Sequence, residues 1–215
     1  LNQVFARQFE DTRTEGSNVL VNKLREYQDE VEFAAQIAKA QFNQNLGGGS
    51  TTAGQFALSH IDPAFFGYDD WDNAPDVPAD GTQDWIDSDT PDNLTGTDGE
   101  PIIIGEDAVH VVCGVGTYED SPKESKFKFH VNREPKTVDR VEDAWRGTDL
   151  QIKWFDTPYI WYEDTEVRSE LYSPVAGSSS PYLVGVSFIE GKAARRLSPD
   201  TYTGTQTANT IVAQQ

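Results

Sequence analysis

The feature that most limits the fold of this chain is a series of short apolar or alternating segments after Pro101. The clearest lies at residues 126–132, where Phe127, Phe129 and Val131 alternate with polar side chains. A period of two is typical of a β-strand with one buried face. Similar segments lie at 102–104, 108–115, 150–154, 159–162, 167–171, 182–189 and 201–212. About eight strands at these spacings predict a mainly β fold, a β-sandwich of the jelly-roll type.

One helical stripe precedes the β region, between residues 17 and 46. Its members recur at spacings of three and four residues: Leu20, Leu24, Tyr27, Val31, Ala34, Ala38 and Phe42. This spacing places them on one face of an α-helix, with Ser17 as the predicted N-cap and three glycines at 47–49 as the predicted end. The polar face carries more acids than bases, so the stripe should pack on protein, in this chain or a neighbour, rather than on an anionic membrane.

The negative charge of the chain is concentrated in its middle. Residues 40–122 contain 16 of the 36 Asp and Glu residues and neither Lys nor Arg, within a formal net charge of −19. The first 39 residues carry seven acids against five bases, and residues 123–215 carry thirteen against twelve. Nucleic acids and anionic lipids attract clustered Lys and Arg. We therefore expect no nucleic acid partner and membrane contact that is at most peripheral. We also expect no transmembrane helix, because the sequence contains no run of eighteen apolar residues.

These patterns divide the chain into three parts. Residues 1–49 form a predicted N-terminal helical arm with a Gly-rich linker, and residues 101–215 a β-sandwich domain. Residues 50–100 are acidic, contain scattered aromatic side chains and keep no period, so they are predicted to be irregular. The acid-rich composition is typical of salt-adapted proteins, since at molar salt a Debye length of about 3 Å screens most self-repulsion. A protein with one acidic loop and no salt adaptation is the alternative.

No group of residues has the spacing of a catalytic or metal-binding site. The three histidines, His60, His110 and His130, have no ligand partner at zinc-site spacing, and His110 and Cys113 should point to opposite faces of one strand. Cys113, the single cysteine, lies in an apolar run and is predicted to be a small, buried apolar residue that fills space in the core. Serine-nucleophile and phosphate-loop motifs are absent. The sequence therefore predicts no catalytic residue, no cofactor site and no metal ligand, and a protein that is not an enzyme.

An acidic run from Asp87 to Asp98 has the length of a calcium loop but not its sequence. With Asp87 at position 1, Pro91 takes position 5, Asp92 the position of the turn glycine, and Asp98 that of the bidentate glutamate. A hydrated acidic loop is the favoured interpretation. Binding of cations from a concentrated salt medium stays open.

Aromatic side chains are dense between residues 145 and 162: Trp145, Trp154, Phe155, Tyr159, Trp161 and Tyr162. An exposed row of such rings would stack on sugars, whereas most aromatic residues of β-sandwiches belong to the core or to an interface. An extracellular carbohydrate-binding or hydrolase domain of a halophile is therefore an alternative function.

The acid-rich composition, the helical arm at 17–46 and the strand series at 101–212 together resemble capsid proteins of haloarchaeal viruses. The resemblance is to the single jelly-roll major capsid proteins of tailless icosahedral viruses with an internal membrane. In that family the jelly rolls stand upright on the capsid, form capsomers with a second capsid protein, and surround a membrane vesicle.

This resemblance implies a structural virion protein of the capsid shell that self-assembles in high salt. It also implies a second capsid protein as partner, and an N-terminal helix that packs on neighbouring subunits. It carries over no functional residue. A tail, turret or decoration protein of a haloarchaeal tailed virus is a further alternative.

Overall fold

The computed structural model of the protein describes residues 15–45, 56–66, 76–77, 79–86, 99–117, 123–139, 141, 151–178 and 180–190. Two helices, α1 (Glu15–Glu26) and α2 (Gln28–Asn45), come first, and a short 3₁₀ helix spans Pro63–Phe66. The strands are β1 (Phe56–His60), β2 (Asp76–Val77), β3 (Gly81–Ile86), β4 (Ile102–Ile103), β5 (Ala108–Thr117), β6 (Lys126–Val131), β7 (Glu134–Asp139), β8 (Ile152–Trp161), β9 (Glu166–Ser173), β10 (Gly177–Ser178) and β11 (Pro181–Glu190).

The long strands form two antiparallel sheets that pack face to face. The first sheet has the order β1-β11-β5-β8, and the second has the order β3-β9-β6-β7. Strand β4 also pairs with β9, and β2 and β10 form a separate two-stranded ladder. The prediction of a mainly β fold built as a sandwich is therefore confirmed.

Aromatic side chains from both sheets fill the space between them. The largest contributions come from Trp85, Phe127, Phe129, Phe155 and Trp161. The ring centroid of Phe129 lies 5.8 Å from that of Phe155 and 6.0 Å from that of Trp161. Such tilted and edge contacts bury a large apolar area and fix the ring orientations, so this layer is a packed core.

The register of the first sheet shifts at two places. In β11 it shifts between Val184 and Gly185, where a Cβ on the glycine would lie 2.0 Å from the carbonyl oxygen of Val111. Only glycine allows the two backbones to approach this closely. In the β5–β8 pair, Val112 pairs with Tyr159 and Gly114 pairs with Trp154. Between these partners β8 has four residues, 155–158, whereas β5 has one, Cys113. This widened section bends the edge of the sheet.

The two helices follow one another almost without a break. Tyr27 separates them, but its N–H donates to the Lys23 carbonyl at 3.0 Å and its carbonyl accepts from the N–H of Val31 at 3.0 Å. The 12 and 18 residues of the two helices, joined by Tyr27, span about 46 Å. The prediction of Ser17 as N-cap was wrong, because the helix begins at Glu15.

The apolar stripe of the helices packs on the outer face of the first sheet. All seven predicted stripe residues are buried. They form one cluster with side chains of β5 and β11: Val109, Val111, Cys113, Val184, Val186 and Phe188. All ten residues of β5 are therefore buried, as expected of a strand covered on both faces. Packing of the helix on neighbouring subunits stays a prediction, but the stripe itself is occupied within the chain.

Two polar side chains fix the position of the helix on the sheet. Nε2 of Gln41 donates to the carbonyls of Glu106 at 2.7 Å and Ala108 at 3.2 Å, and its Oε1 accepts from the N–H of Glu163 at 3.3 Å. The hydroxyl of Tyr27 donates to the carbonyl of Phe155 in the widened section of β8. Burial raises the pKa of Tyr27 to about 12, so this donor keeps its proton.

Regular structure also occurs within residues 50–100, where the sequence predicted none. Strand β1 pairs with β11 from Phe56↔Glu190 to His60↔Val186, and β3 pairs with β9. The prediction was wrong for these two strands because β1 is short and β3 contains a bulge at Trp85 that breaks its alternation. The acidic run 87–98 and the predicted strand 201–212 lie outside the described residues.

Phe42 and Phe33 of α2 test the packing of the helix on the sheet. Phe42 is 1% exposed in the helix–sheet cluster, whereas Phe33 is 57% exposed on the opposite side. We expect Phe42→Ala to lower the free energy of unfolding by about 3–5 kcal/mol because it leaves a cavity. The same substitution at Phe33 should cost about 0.5 kcal/mol or less. Urea unfolding at one fixed salt concentration measures both, and equal losses would contradict the packing.

Candidate functional site

The outer face of the second sheet carries charged and polar side chains. They occupy the outward positions of β3, β9 and β6, while the residues between them point to the core. We call this set the charged face: Thr82, Asp84, Lys126, Lys128, His130, Glu166, Arg168, Glu170 and Tyr172. It contains three acids and three Lys or Arg residues, so its formal charge is zero with His130 neutral.

Arg168 is the centre of the ion-pair network on this face. Its Nε and Nη2 donate to Oδ1 of Asp84 at 3.1 and 2.9 Å, and its Nη2 lies 3.1 Å from Oε1 of Glu170. Oδ2 of Asp84 accepts from the N–H of Gly99 at 2.9 Å. The Asp84 side chain is only 4% exposed. The guanidinium and the amide provide the hydrogen bonds that this buried carboxylate would otherwise make with water.

Glu170 extends the network from β9 to β6. Its Oε1 lies 3.0 Å from Nε2 of His130, and its Oε2 lies 3.8 Å from Nζ of Lys128, its register partner. At the turn after β6, Nε of Arg133 donates to Oε2 of Glu166 at 3.2 Å. Opposite charges at neighbouring cross-strand positions stabilise the sheet modestly, so the network is both structural and accessible.

A cleft of about 440 Å³ opens at one end of the charged face. Its charged lining consists of Glu100, Arg133, Glu166 and Arg168, and His130 also borders it. The volume is that of a small-molecule site, but the lining combines both signs of charge and Arg133 already pairs with Glu166. The cleft therefore favours neither an anionic nor a cationic small ligand.

Sequence reasoning did not single out Asp84, Arg168 or Glu170. The segment 166–172 does contain a signal, because Glu166, Arg168 and Glu170 alternate with Val, Ser and Leu. That alternation would place the three charges on one strand face. The partner of Arg168 lies 84 residues away in the sequence, and only the tertiary pairing of β3 with β9 brings it into contact.

His110 lies inside the sandwich, on the inner side of β5. Its Nδ1 lies 2.8 Å from Oγ of Ser187, and the rings of Phe65 and Phe66 have centroids 4.8 and 5.5 Å away. His110 and Ser187 are 1% and 0% exposed, so no substrate reaches the hydroxyl. Burial lowers the pKa of His110 to about 3, because the imidazolium would lose its hydration. The pair is a structural hydrogen bond rather than a nucleophile with its base.

Cys113 faces the helices, on the side of β5 opposite to His110, as the alternation predicts. It is fully buried, and burial raises the pKa of its thiol to about 12. A thiol that keeps its proton is neither a nucleophile nor a metal ligand, so Cys113 is the apolar filler predicted from the sequence.

Most of the aromatic residues between 145 and 162 belong to the core. Phe155 and Trp161 lie between the sheets, Tyr159 packs against them, and Trp154 packs against the helix cluster. Among the described members, Tyr162 is exposed at 44%. Trp145 lies outside the described residues. The described members thus form no exposed row, which weakens the carbohydrate-binding alternative.

The described parts of the chain contain neither a metal-binding cluster nor a membrane-spanning helix. There, no three or more His, Cys, Asp or Glu side chains are grouped so that they would hold a metal ion. No helix among these residues is long and apolar enough to cross a membrane. Comparisons with protein-family models, with curated proteins and with solved structures gave no match to this chain.

The buried His110 predicts a loss of stability in mild acid. Below about pH 6.5 the unfolded chain protonates this histidine while the folded chain does not. The free energy of unfolding is therefore unaffected by this histidine well above that pH. It falls by up to about 1.4 kcal/mol per pH unit as the pH decreases toward the pKa of His110 in the folded protein, about 3.

Urea unfolding at pH 7 and pH 5 measures this loss at fixed salt. The wild type should lose about 2 kcal/mol more than a His110→Gln variant between the two pH values. The Phe33→Ala variant, which keeps His110, should behave like the wild type. Equal pH dependence of wild type and His110→Gln would contradict the assignment.

Proposed function

We propose that the sandwich is a jelly roll and that the protein is a structural capsid subunit of a virion, assembling in high salt. The observation that carries this proposal is the pairing of the strands. With β1, β3, β5, β6, β7, β8, β9 and β11 numbered one to eight, the sheets read 1-8-3-6 and 2-7-4-5. The pairs one–eight, two–seven, three–six and four–five are all antiparallel.

This pairing is what results when one long antiparallel hairpin of four strand pairs curls into two packed sheets. It supports a double Greek key, the arrangement of jelly rolls, which occurs in viral capsid proteins, lectins and cupins. Cupin-type function needs an interior that admits a ligand, whereas the interior here is filled by aromatic rings around Phe129. Lectin-type function needs exposed binding side chains, which the described aromatic cluster does not offer. Assembly is the remaining role.

The charge of the chain fits a role in concentrated salt. Two bodies of charge −19 with centres about 30 Å apart would repel by roughly 50 kcal/mol in water without salt. At molar salt the Debye length of about 3 Å removes nearly all of that repulsion. Assembly of many copies then becomes permitted by the medium, which supports a structural protein of a halophilic system.

The proposed partners are further copies of this chain and a second capsid protein, with the capsid shell as location. The helix would contact neighbours with the side that faces away from the sheet, since its apolar stripe is occupied. Phe33 is exposed on that side, and Ile103 on β4 is a second exposed apolar side chain, at 62%. Exposed apolar residues of this kind are typical of contact surfaces.

Light scattering after size exclusion, in molar potassium chloride and in dilute buffer, tests the proposal. We expect a multimer in high salt that dissociates or unfolds in dilute buffer, because unscreened repulsion opposes assembly. Electron microscopy of the multimer separates closed shells or capsomers from tail, turret or decoration assemblies. A stable monomer in both buffers would contradict a capsid role and would favour glycan arrays as the next experiment.

A further inference from the structure

We propose that the charged face of the second sheet is the surface through which two copies of this chain associate. The inference rests on the proposed function, since it names one contact of the assembling protein. The occupant of the face is a second copy, related by a two-fold axis parallel to the strands and midway between β6 and β9.

The two sheets differ in what covers them. The outer face of the first sheet is closed by α1 and α2 of the same chain. The outer face of the second sheet carries side chains that reach solvent, with Lys128 40% exposed and Arg133 at its end 88% exposed. A second molecule can therefore reach this face of the described sheet directly.

Charge decides which surface a second copy can use. The whole chain carries −19, whereas the charged face is formally neutral and the neighbouring strand β7 adds one acid, Asp139, in register with Lys126. Two copies that meet through this sheet therefore bring nearly equal numbers of acids and bases into contact. Contact through an acidic surface would instead place like charges opposite one another, which costs several kcal/mol.

The central charged pair of this arrangement is complementary to itself. Strand β6 presents Lys126, Lys128 and His130, and its neighbour β9 presents Glu166 and Glu170 around Arg168. These two strands are the central pair in the strand order β3-β9-β6-β7. A two-fold axis between them, parallel to the strands, places β6 of each copy over β9 of the other. An isologous contact of this kind uses the same patch on both copies.

The strand register then selects which side chains meet. Lys128 and Glu170 are register partners, so they lie at the same height along the sheet. Rotation about the proposed axis keeps that height and exchanges the strands. Lys128 of each copy therefore lies opposite Glu170 of the other, and the contact contains this pair twice.

The size of the face predicts a weak contact. Four strands at about 4.8 Å spacing and eight residues at about 3.3 Å give roughly 500 Å². Stable protein interfaces bury about 800 Å² on each partner. Association through this face alone is therefore concentration-dependent and sensitive to single charges.

A charge-swap experiment tests the pairing, at the lowest salt concentration at which the wild type self-associates. Lys128→Glu creates two Glu–Glu contacts across the axis, and Glu170→Lys creates two Lys–Lys contacts. Each variant alone should self-associate at least about tenfold more weakly than the wild type. An equimolar mixture should regain association, because each heterodimer again contains two opposite-charge pairs. Sedimentation velocity measures all three samples.

Lys39→Glu is the matched control, since it makes the same charge change at an exposed position of α2 that lies about 120° around the helix from Phe33, away from the side proposed above to contact neighbours. It should self-associate like the wild type, and melting curves establish that every variant is folded. Equal weakening by Lys39→Glu and Lys128→Glu, or no recovery in the mixture, would overturn the proposed face while leaving assembly itself intact. A wild type that stays monomeric at every salt concentration would overturn both proposals.

Thiol labelling gives a second measurement that does not depend on the charge swap. Cys113 is buried, so a Thr82→Cys variant, altered at an uncharged position of the charged face, and a Lys39→Cys variant each carry one accessible thiol. On association, maleimide labelling at position 82 should slow by at least about fivefold, while labelling at position 39 keeps its rate. Equal rates at both positions would exclude the charged face from the contact.

Discussion

The structure depends on covering both faces of the central strands β5 and β11. Ten consecutive residues of β5 are buried, a pattern otherwise typical of parallel sheets that lie between two layers. The second sheet covers one face with aromatic rings, and the helix covers the other with a stripe of small, aliphatic and aromatic side chains. The helix therefore forms a third layer on the first sheet. Its polar contacts through Gln41 and Tyr27 determine where it lies.

The two outer surfaces of the sandwich differ because the helix covers the outer face of the first sheet. On the outer face of the second sheet, charged side chains pair with one another. Arg168 achieves this by binding two acids, and Asp84 also accepts from the backbone of Gly99. The result is an electrically neutral surface on a strongly acidic protein. Its neutrality comes from paired charges, which a second molecule of the same kind can also satisfy.

Periodicity predicted those elements whose side chains follow one period throughout. The helical stripe and the alternation at 126–131 belong to this class, and both lie where predicted. Strand β3 was missed because its bulge makes four successive residues buried, which hides the period of two. The candidate face was missed because its central pair joins residues 84 and 168, and no local pattern encodes such a contact. Gly185 lies within a predicted strand, but the reason for a glycine there is the nearby backbone of Val111.

Symmetry limits what the charged face can build by itself. A two-fold contact closes after two copies, so a shell requires at least one further and different interface. That interface must lie on a surface other than the charged face, and the outer side of the helix carries an exposed apolar side chain at Phe33. Contacts there are apolar and should persist at molar salt, where ion pairs weaken. Added salt would therefore weaken the ion-paired contact between two copies while it preserves or strengthens the apolar contacts that join the pairs. Their balance would determine the salt concentration at which larger assemblies are most stable.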